Sequence, residues 1–348
     1  MRRLPVLLSA AVALALAGAP GASAAAPAKP AASAAPAAPV ADHHQYLYSP
    51  AAAAFLSRSA PLQPVSAQDL IAQLDAAGIE RAAVLSVAWV YGRPAAVADD
   101  EYERVRAEND WAARQAGEYP GRLVALCSVD PLKDYALHEL ARCAASPEFG
   151  RGIKLQPAGG VRLDDPAQVE RVQRVFRSAN ARGMAIVLQL RGTSAQGARL
   201  LIDQLLPHAP DVPVQVAYAD TPVAEMDKVA DKGVDKGAGK GVDKRVGDAA
   251  APLAALAVLA EAVARQDPRM RQVWFDVASF ARPGLSPADA RRLVRRLRQV
   301  GMERVLYGSD ASPGADVGPR EAWAAFRSLP LTEAEAARVA NNVMPYLR

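Results

Sequence analysis

The chain has 348 residues, of which 51% are hydrophobic and 22% charged. Its 41 Lys and Arg exceed its 37 Asp and Glu by only four, and Arg2 and Arg3 make up half of that excess. So even a balance gives no basic face for nucleic acid, and two cysteines are too few for a disulfide framework.

Arg2 and Arg3 precede an apolar run from Leu4 to Leu16, and Ala22-Ser23-Ala24 then supplies the small-x-small pattern that signal peptidase cuts. The run is shorter than the ~20 residues that span a bilayer. Residues 1–24 therefore read as a cleaved secretory signal. The next cysteine is Cys127, which offers no lipid attachment at the cut. The expectation is an exported protein, periplasmic or secreted, with no membrane contact once the signal is removed. Residues 25–41 are almost wholly Ala and Pro, a composition that cannot offset its own ordering entropy, and read as a linker. The folded part is expected over 42–348, as one domain.

From there, β-branched apolar runs alternate with longer stretches of helical period. Strands are predicted to end near His44 to Leu47, Val84 to Ala88, Leu123 to Val129, Ile153 to Leu155, Ile186 to Leu190, Val214 to Ala217, Val273 to Val277 and Val305 to Tyr307. The helical stretches are Ala67 to Ala77, Asp99 to Glu118, Lys133 to Ala145, Ala167 to Arg182, Ala195 to Leu206, Pro252 to Arg265, Pro287 to Val300 and Arg320 to Ser328. Ser66, Asp165-Pro166 and Ser286-Pro287 supply start signals, and Gly78, Gly117, Gly183 and Gly301 supply stops. Eight β-then-α units predict a single-domain (β/α)₈ TIM barrel. A doubly wound open sheet is the rival, but no Gly-x-Gly-x-x-Gly turn follows the first strand. Residues 226–248 repeat Asp-Lys pairs, hold almost no large apolar side chain, and read as a solvated insertion. Counting by twos from Asp130 turns Cys127 outward, towards the helix that carries Cys143. Either one bridge joins them in an oxidising compartment or two thiols lie buried there.

Active sites of such barrels lie at the C-terminal strand ends. The polar residues expected there are His44 and Tyr46, Ser86, Ser128 and Asp130, Lys154 and Gln156, Gln189 and Arg191, Tyr218, Asp276 and Ser279, and Asp310.

Asp42-His43-His44-Gln45-Tyr46-Leu47, Gly152-Ile153-Lys154-Leu155-Gln156, Ile186-Val187-Leu188-Gln189, Val214-Gln215-Val216-Ala217-Tyr218, Phe275-Asp276-Val277 and Leu306-Tyr307-Gly308-Ser309-Asp310 resemble the strand ends of the amidohydrolase-related branch of the amidohydrolase superfamily. Glu108-Asn109-Asp110 and Asn341-Asn342 extend the match. The resemblance implies a barrel in which His-x-His on the first strand, His on the fifth and sixth, often His on the fourth, and Asp on the eighth hold one or two divalent metals, usually zinc. The metal-bound water attacks an ester, lactone or amide, and some members decarboxylate instead. A metal suits that task because it lowers the pKa of its water towards ~7 and polarises the carbonyl.

His44 and Asp310 match this pattern, but Tyr46, Gln156, Gln189 and Tyr218 stand at the other ligand positions. Gln is a poor zinc ligand, and Tyr has first to lose a proton whose reference pKa is ~10. Two ligands fall short of the three protein ligands of a catalytic zinc site. No metal is therefore expected, with His44 and Asp310 as vestigial ligands and zinc as the family's alternative. In a metal-free reading Asp310 is a general base, His44 a proton-transfer group and Lys154 a catalytic cation. Arg191, Tyr46, Gln156, Gln189 and Tyr218 would bind a small polar or anionic ligand. The other reading of these residues is structural: ion pairing in the barrel mouth and the filling of volume. His43, His138 and His208 are expected outside the site. Three functions stay open: a hydrolase or decarboxylase, an inactive barrel that binds a small ligand, and an interaction protein with a vestigial pocket. Homo-oligomerisation is left open.

Overall fold

The computed structural model describes residues 38–57, 62–93, 99–158, 160–162, 164–189, 194–217, 253–278, 285–311 and 317–348. Eight parallel strands follow one another in chain order: β1 (Ala41–Gln45), β2 (Arg81–Leu85), β3 (Leu123–Val129), β4 (Gly152–Leu155), β5 (Ala185–Gln189), β6 (Val214–Ala217), β7 (Val273–Asp276) and β8 (Val305–Leu306). The chain then returns to β1. His43 N donates to Tyr307 O at 2.9 Å, Asp310 N donates to His44 O at 3.0 Å, and Gln45 bridges Ala311. The sheet is thus a nearly closed barrel, and the (β/α)₈ expectation holds.

The described helices are α1 (Pro50–Leu56), α2 (Ala67–Ala77), α3 (Glu101–Gly117), α4 (Ala136–Ala145), α5 (Pro166–Ala181), α6 (Ala195–Leu200), α7 (Ala254–Ala264), α8 (Pro287–Val300), α9 (Pro319–Arg327) and α10 (Glu333–Asn341), and α2 to α9 stand where the apolar period placed them. The capping chemistry acts as read. Ser66 accepts from Asp69 N, Asp165 from Ala167 N, and Ser286 from Asp289 N. Gly78 ends α2 at φ 71°, a left-handed position that a side chain would strain.

Three details differ from the sequence reading. The helix expected over Ala195 to Leu206 is α-helical only to Leu200. It widens to a π turn at Leu201–Leu205 and tightens to a 3₁₀ turn at Leu206–His208, where Pro207 lacks the N–H that an α-helix needs. Helices α1 and α10 were not foreseen, although Ser49 caps the first and a Thr332/Glu335 capping box starts the second. Strand β1 begins at Ala41, one residue inside the segment read as linker. The preceding Val40 is already bonded, its N–H to Ala340 O and its carbonyl from Arg81 N. The signal, residues 25–37 of the linker and the 226–248 insertion lie outside the described residues.

Strand alternation makes two apolar layers. Outward side chains such as Cys127, Ile153, Leu155, Ile186 and Leu188 pack under helix residues such as Leu70, Leu74, Phe176 and Phe326. Inward ones, including Ala83, Leu85, Leu126, Val187 and Leu306, fill the barrel together with Tyr346 and Leu347 from the C-terminal turn. The outward turn of Cys127 meets Cys143 of α4 across a Cα separation of 6.2 Å, and a disulfide joins them. No described helix is long and apolar enough to cross a membrane.

Candidate active site

The same alternation that buries Cys127, Ile153 and Leu188 outward turns Ser128, Lys154 and Gln189 into the barrel. They meet His44 and Tyr46 from β1 and the residue that follows it, and Asp276 from the end of β7.

His44 is the centre of this group. Its Nδ1 lies 2.6 Å from Asp276 Oδ2 and its Nε2 lies 2.6 Å from the Tyr46 hydroxyl. Asp276 also accepts from Gln215 Nε2 and Ala278 N, both at 2.8 Å. Burial works to raise the Asp276 carboxyl, but the facing His44 and these donors hold it below the usual carboxylate range. An ionised Asp276 can only accept, so the Nδ1 of His44 carries the proton of that bond, while Nε2 shares a hydrogen bond with the Tyr46 hydroxyl. Lys154 Nζ donates to the same hydroxyl at 2.6 Å, while Gln189 Oε1 stands at 3.4 Å, the outer limit of a hydrogen bond. A hydrogen-bonded chain results, from Lys154 through Tyr46 and His44 to Asp276.

Lys154 is fully buried, with its ammonium 4.2 Å from the Tyr46 ring centroid and 5.8 Å from that of Trp89. Ring faces stabilise a cation that has lost water. Asp310 lies across from this group, its Oδ1 3.7 Å from His44 Nε2, with 17% of its side chain exposed. Burial raises its carboxyl to about 6, against the opposing pull of His44 and Lys154. Its backbone is left-handed, at φ 53°, a conformation that costs a residue with a side chain and collects at functional sites.

Gln156 and Ser128 complete the inner surface on the β3–β4 side. Both are fully buried, and within the described residues neither amide atom of Gln156 nor the Ser128 hydroxyl has a hydrogen-bond partner. Arg191 and Tyr218 lie outside the described residues. Of the eight site residues proposed from sequence, the structure brings His44, Tyr46, Lys154, Gln189 and Asp310 into one network, and Gln156 stands beside it.

The remaining histidines are elsewhere. His43 Nδ1 donates to Tyr307 O at 2.9 Å and its Nε2 accepts from Met344 N at 3.2 Å. Burial lowers its pKa to about 4, so the ring is a neutral structural pin. His138 of α4 bonds the Tyr102 hydroxyl at 2.8 Å, and His208 lies half-buried in the 3₁₀ turn. Sequence reasoning placed Asp276 in the polar ring without its role as the partner of His44, and it missed Gln215 and Trp89. The signals were there: a carboxylate between Phe275 and Val277, and a Gln between Val214 and Val216, each interrupting an apolar strand.

Among the described residues one other set of metal-type side chains comes together, Cys127, Glu139 and Cys143. Its sulfurs are joined to each other, and Glu139 is taken up by Arg142, Asn109 and Tyr102. Its role is structural.

A family model described as amidohydrolase matches residues 41–342. No curated protein matches the chain. Among solved structures, 5-carboxyvanillate decarboxylase from Sphingomonas paucimobilis aligns over 87% of this chain and 97% of its own, at 14% identity and a TM-score of 0.53. For 2,6-dihydroxybenzoate decarboxylase from Rhizobium the values are 88%, 97%, 15% and 0.53. For 5-carboxyvanillate decarboxylase from Novosphingobium aromaticivorans, solved with manganese bound, they are 88%, 95%, 12% and 0.57. At such identities the likeness is one of fold.

Proposed function

The chain belongs to the amidohydrolase family, and from that premise we propose that it is an exported member whose barrel mouth acts on a small polar or anionic ligand without a resident divalent metal. The reaction is the family's kind, hydrolysis of an ester, lactone or amide, or decarboxylation, carried by side chains alone.

One observation carries this reading: the Tyr46 hydroxyl lies 2.6 Å from both His44 Nε2 and Lys154 Nζ. The imidazole nitrogen that would bind a metal is committed to a phenol, and a buried ammonium stands in the same place. A divalent cation there meets a fixed positive charge and, besides His44 and Asp310, mostly weak oxygen donors. The residues do not fit a zinc site. They suit acid–base work instead. Asp310, raised to about 6 by burial, is close enough to neutral pH to take up a proton as general base. His44, held by Asp276, has its Nε2 turned to the site for proton transfer, and Lys154 stabilises negative charge that develops on the substrate.

Export is supported by the run from Arg2 to Ala24 and by the Cys127–Cys143 bridge, since disulfides persist in oxidising compartments. An inactive ligand-binding barrel is the second reading, favoured by the orphaned amide of Gln156, which can hydrogen-bond a ligand but cannot act as an acid or base. The experiment is a turnover screen of the secreted protein on lactones, aryl esters, amides and aromatic carboxylates, with and without chelator. Turnover that survives chelation and is lost in Asp310→Asn supports the metal-free enzyme. Binding without turnover leaves the second reading.

A further inference from the structure

Among the described residues at the barrel mouth, Gln156 and Ser128 are fully buried with no hydrogen-bond partner for either amide atom of Gln156 or for the Ser128 hydroxyl. A buried polar atom with no partner is costly, and three such atoms lie on the adjacent ends of β3 and β4.

Both residues are held in position. Ser128 sits in register beside Lys154 of β4, and Asn109 grips its backbone on both sides, with Ser128 N donating to Asn109 Oδ1 at 3.0 Å and Asn109 Nδ2 donating to Ser128 O at 3.1 Å. Gln156 lies two residues beyond Lys154, hence on the same side of the chain, and its N–H donates to Val129 O at 3.3 Å. Lys154 adds a fixed positive charge to the pair.

Resting on the metal-free reading of the mouth, we infer that Ser128, Lys154 and Gln156 form a subsite for the carboxylate of a small acid that carries a hydroxyl or amino group next to it. A carboxylate only accepts, and it takes hydrogen bonds from the Ser128 hydroxyl and from Gln156 Nε2, with Lys154 supplying the opposite charge. Gln156 Oε1 cannot donate, so it selects a ligand with a hydroxyl or N–H beside the carboxylate. A neutral amide offers hydrogen bonds to Ser128 and Gln156 but brings no charge opposite to that of Lys154.

The test is calorimetric titration of the secreted protein with glycolate and mandelate, each set against its amide and against the analogue that lacks the hydroxyl, acetate or phenylacetate. At least one hydroxy acid binds, its amide and its deoxy analogue bind about 10-fold more weakly or worse, and Ser128→Ala and Gln156→Leu each weaken the acid about 10-fold or more. The same two variants melt at the same or a higher temperature than the parent when no ligand is present, because each removes orphaned polar atoms. Gln156→Glu, similar in size but of the same charge as the ligand carboxylate, must also lose the acid, and it keeps the test decisive if Gln156→Leu does not fold. The subsite is overturned if neither acid binds, if acid and amide bind alike, or if the variants bind the acid as tightly as the parent. Zinc content is measured on the same samples. Acid binding that depends on added zinc overturns the metal-free reading as well, whereas equal binding of acid and amide by metal-free protein overturns the subsite alone.

Discussion

Asp276 and His44 form a fully buried pair, Oδ2 to Nδ1 at 2.6 Å, and Gly308 is the backbone that lets them meet. A Cβ at position 308 would collide with Asp276 Oδ1 and lie 2.8 Å from His44 Cβ. Gly308→Ala is expected to destabilise the fold by about 1–3 kcal/mol, the usual range for overpacking a buried site, and to disturb the orientation of His44. Gly117→Ala, at a helix position with nothing within 4 Å of the new carbon, is the control and stays neutral or slightly stabilising. Urea unfolding of the three proteins measures both. Equal midpoints for parent and Gly308→Ala would show that the pair tolerates displacement.

The Cys127–Cys143 bridge spans 16 residues and ties α4 to β3 directly beside Ser128. For a loop of about that length, chain entropy gives ~3 kcal/mol of stabilisation, so Cys127→Ala/Cys143→Ala is expected to lose about 2–4 kcal/mol. Reduction of the parent protein should lower its melting temperature towards that of the double variant. A parent that melts alike with and without reductant contradicts the role given to the bridge.

How much of this was legible beforehand depends on the kind of signal. Strand alternation placed Cys127 outward and Lys154 inward, because a period of two needs no tertiary information. Capping side chains at Ser66, Asp165 and Ser286 fixed helix starts for the same local reason. The pairing of His44 with Asp276 was not legible. It joins residues 232 positions apart, and which of the inward polar residues touch is decided by barrel closure. The orphaned atoms of Gln156 were hidden likewise, since a sequence shows a polar residue but not whether its partners exist. Helix α1 escaped notice because Pro50–Leu56 is short and has alanine at four of its seven positions, with no amphipathic stripe to read.

His43 makes stability depend on pH in a defined direction. Its folded-state pKa, about 4, lies below the ordinary value of 6.5 because the ring is buried, and Nε2 faces the Met344 N–H, which a protonated ring cannot accept from. The unfolded chain therefore binds the extra proton first. The stabilisation is fully present above about 6.5 and is lost as pH falls towards 4, with a size on the order of 3 kcal/mol. Unfolding free energies measured at intervals between these values should fall more steeply in the parent than in His43→Asn. Parallel curves would mean that His43 does not titrate with unfolding.

The proposal that the mouth works without a metal is tested most directly by elemental analysis of the protein purified from its own host, alongside Tyr46→His/Gln189→His, which adds two imidazoles beside His44. The account predicts no stoichiometric zinc, manganese or other divalent ion in the parent, with turnover or ligand binding that chelator leaves unchanged. It also predicts a gain of zinc affinity in the double variant, as His44, the two new imidazoles and Asp310 become a nitrogen-rich set. One tightly held divalent ion per unmodified chain, together with activity that a chelator abolishes and the metal restores, contradicts it.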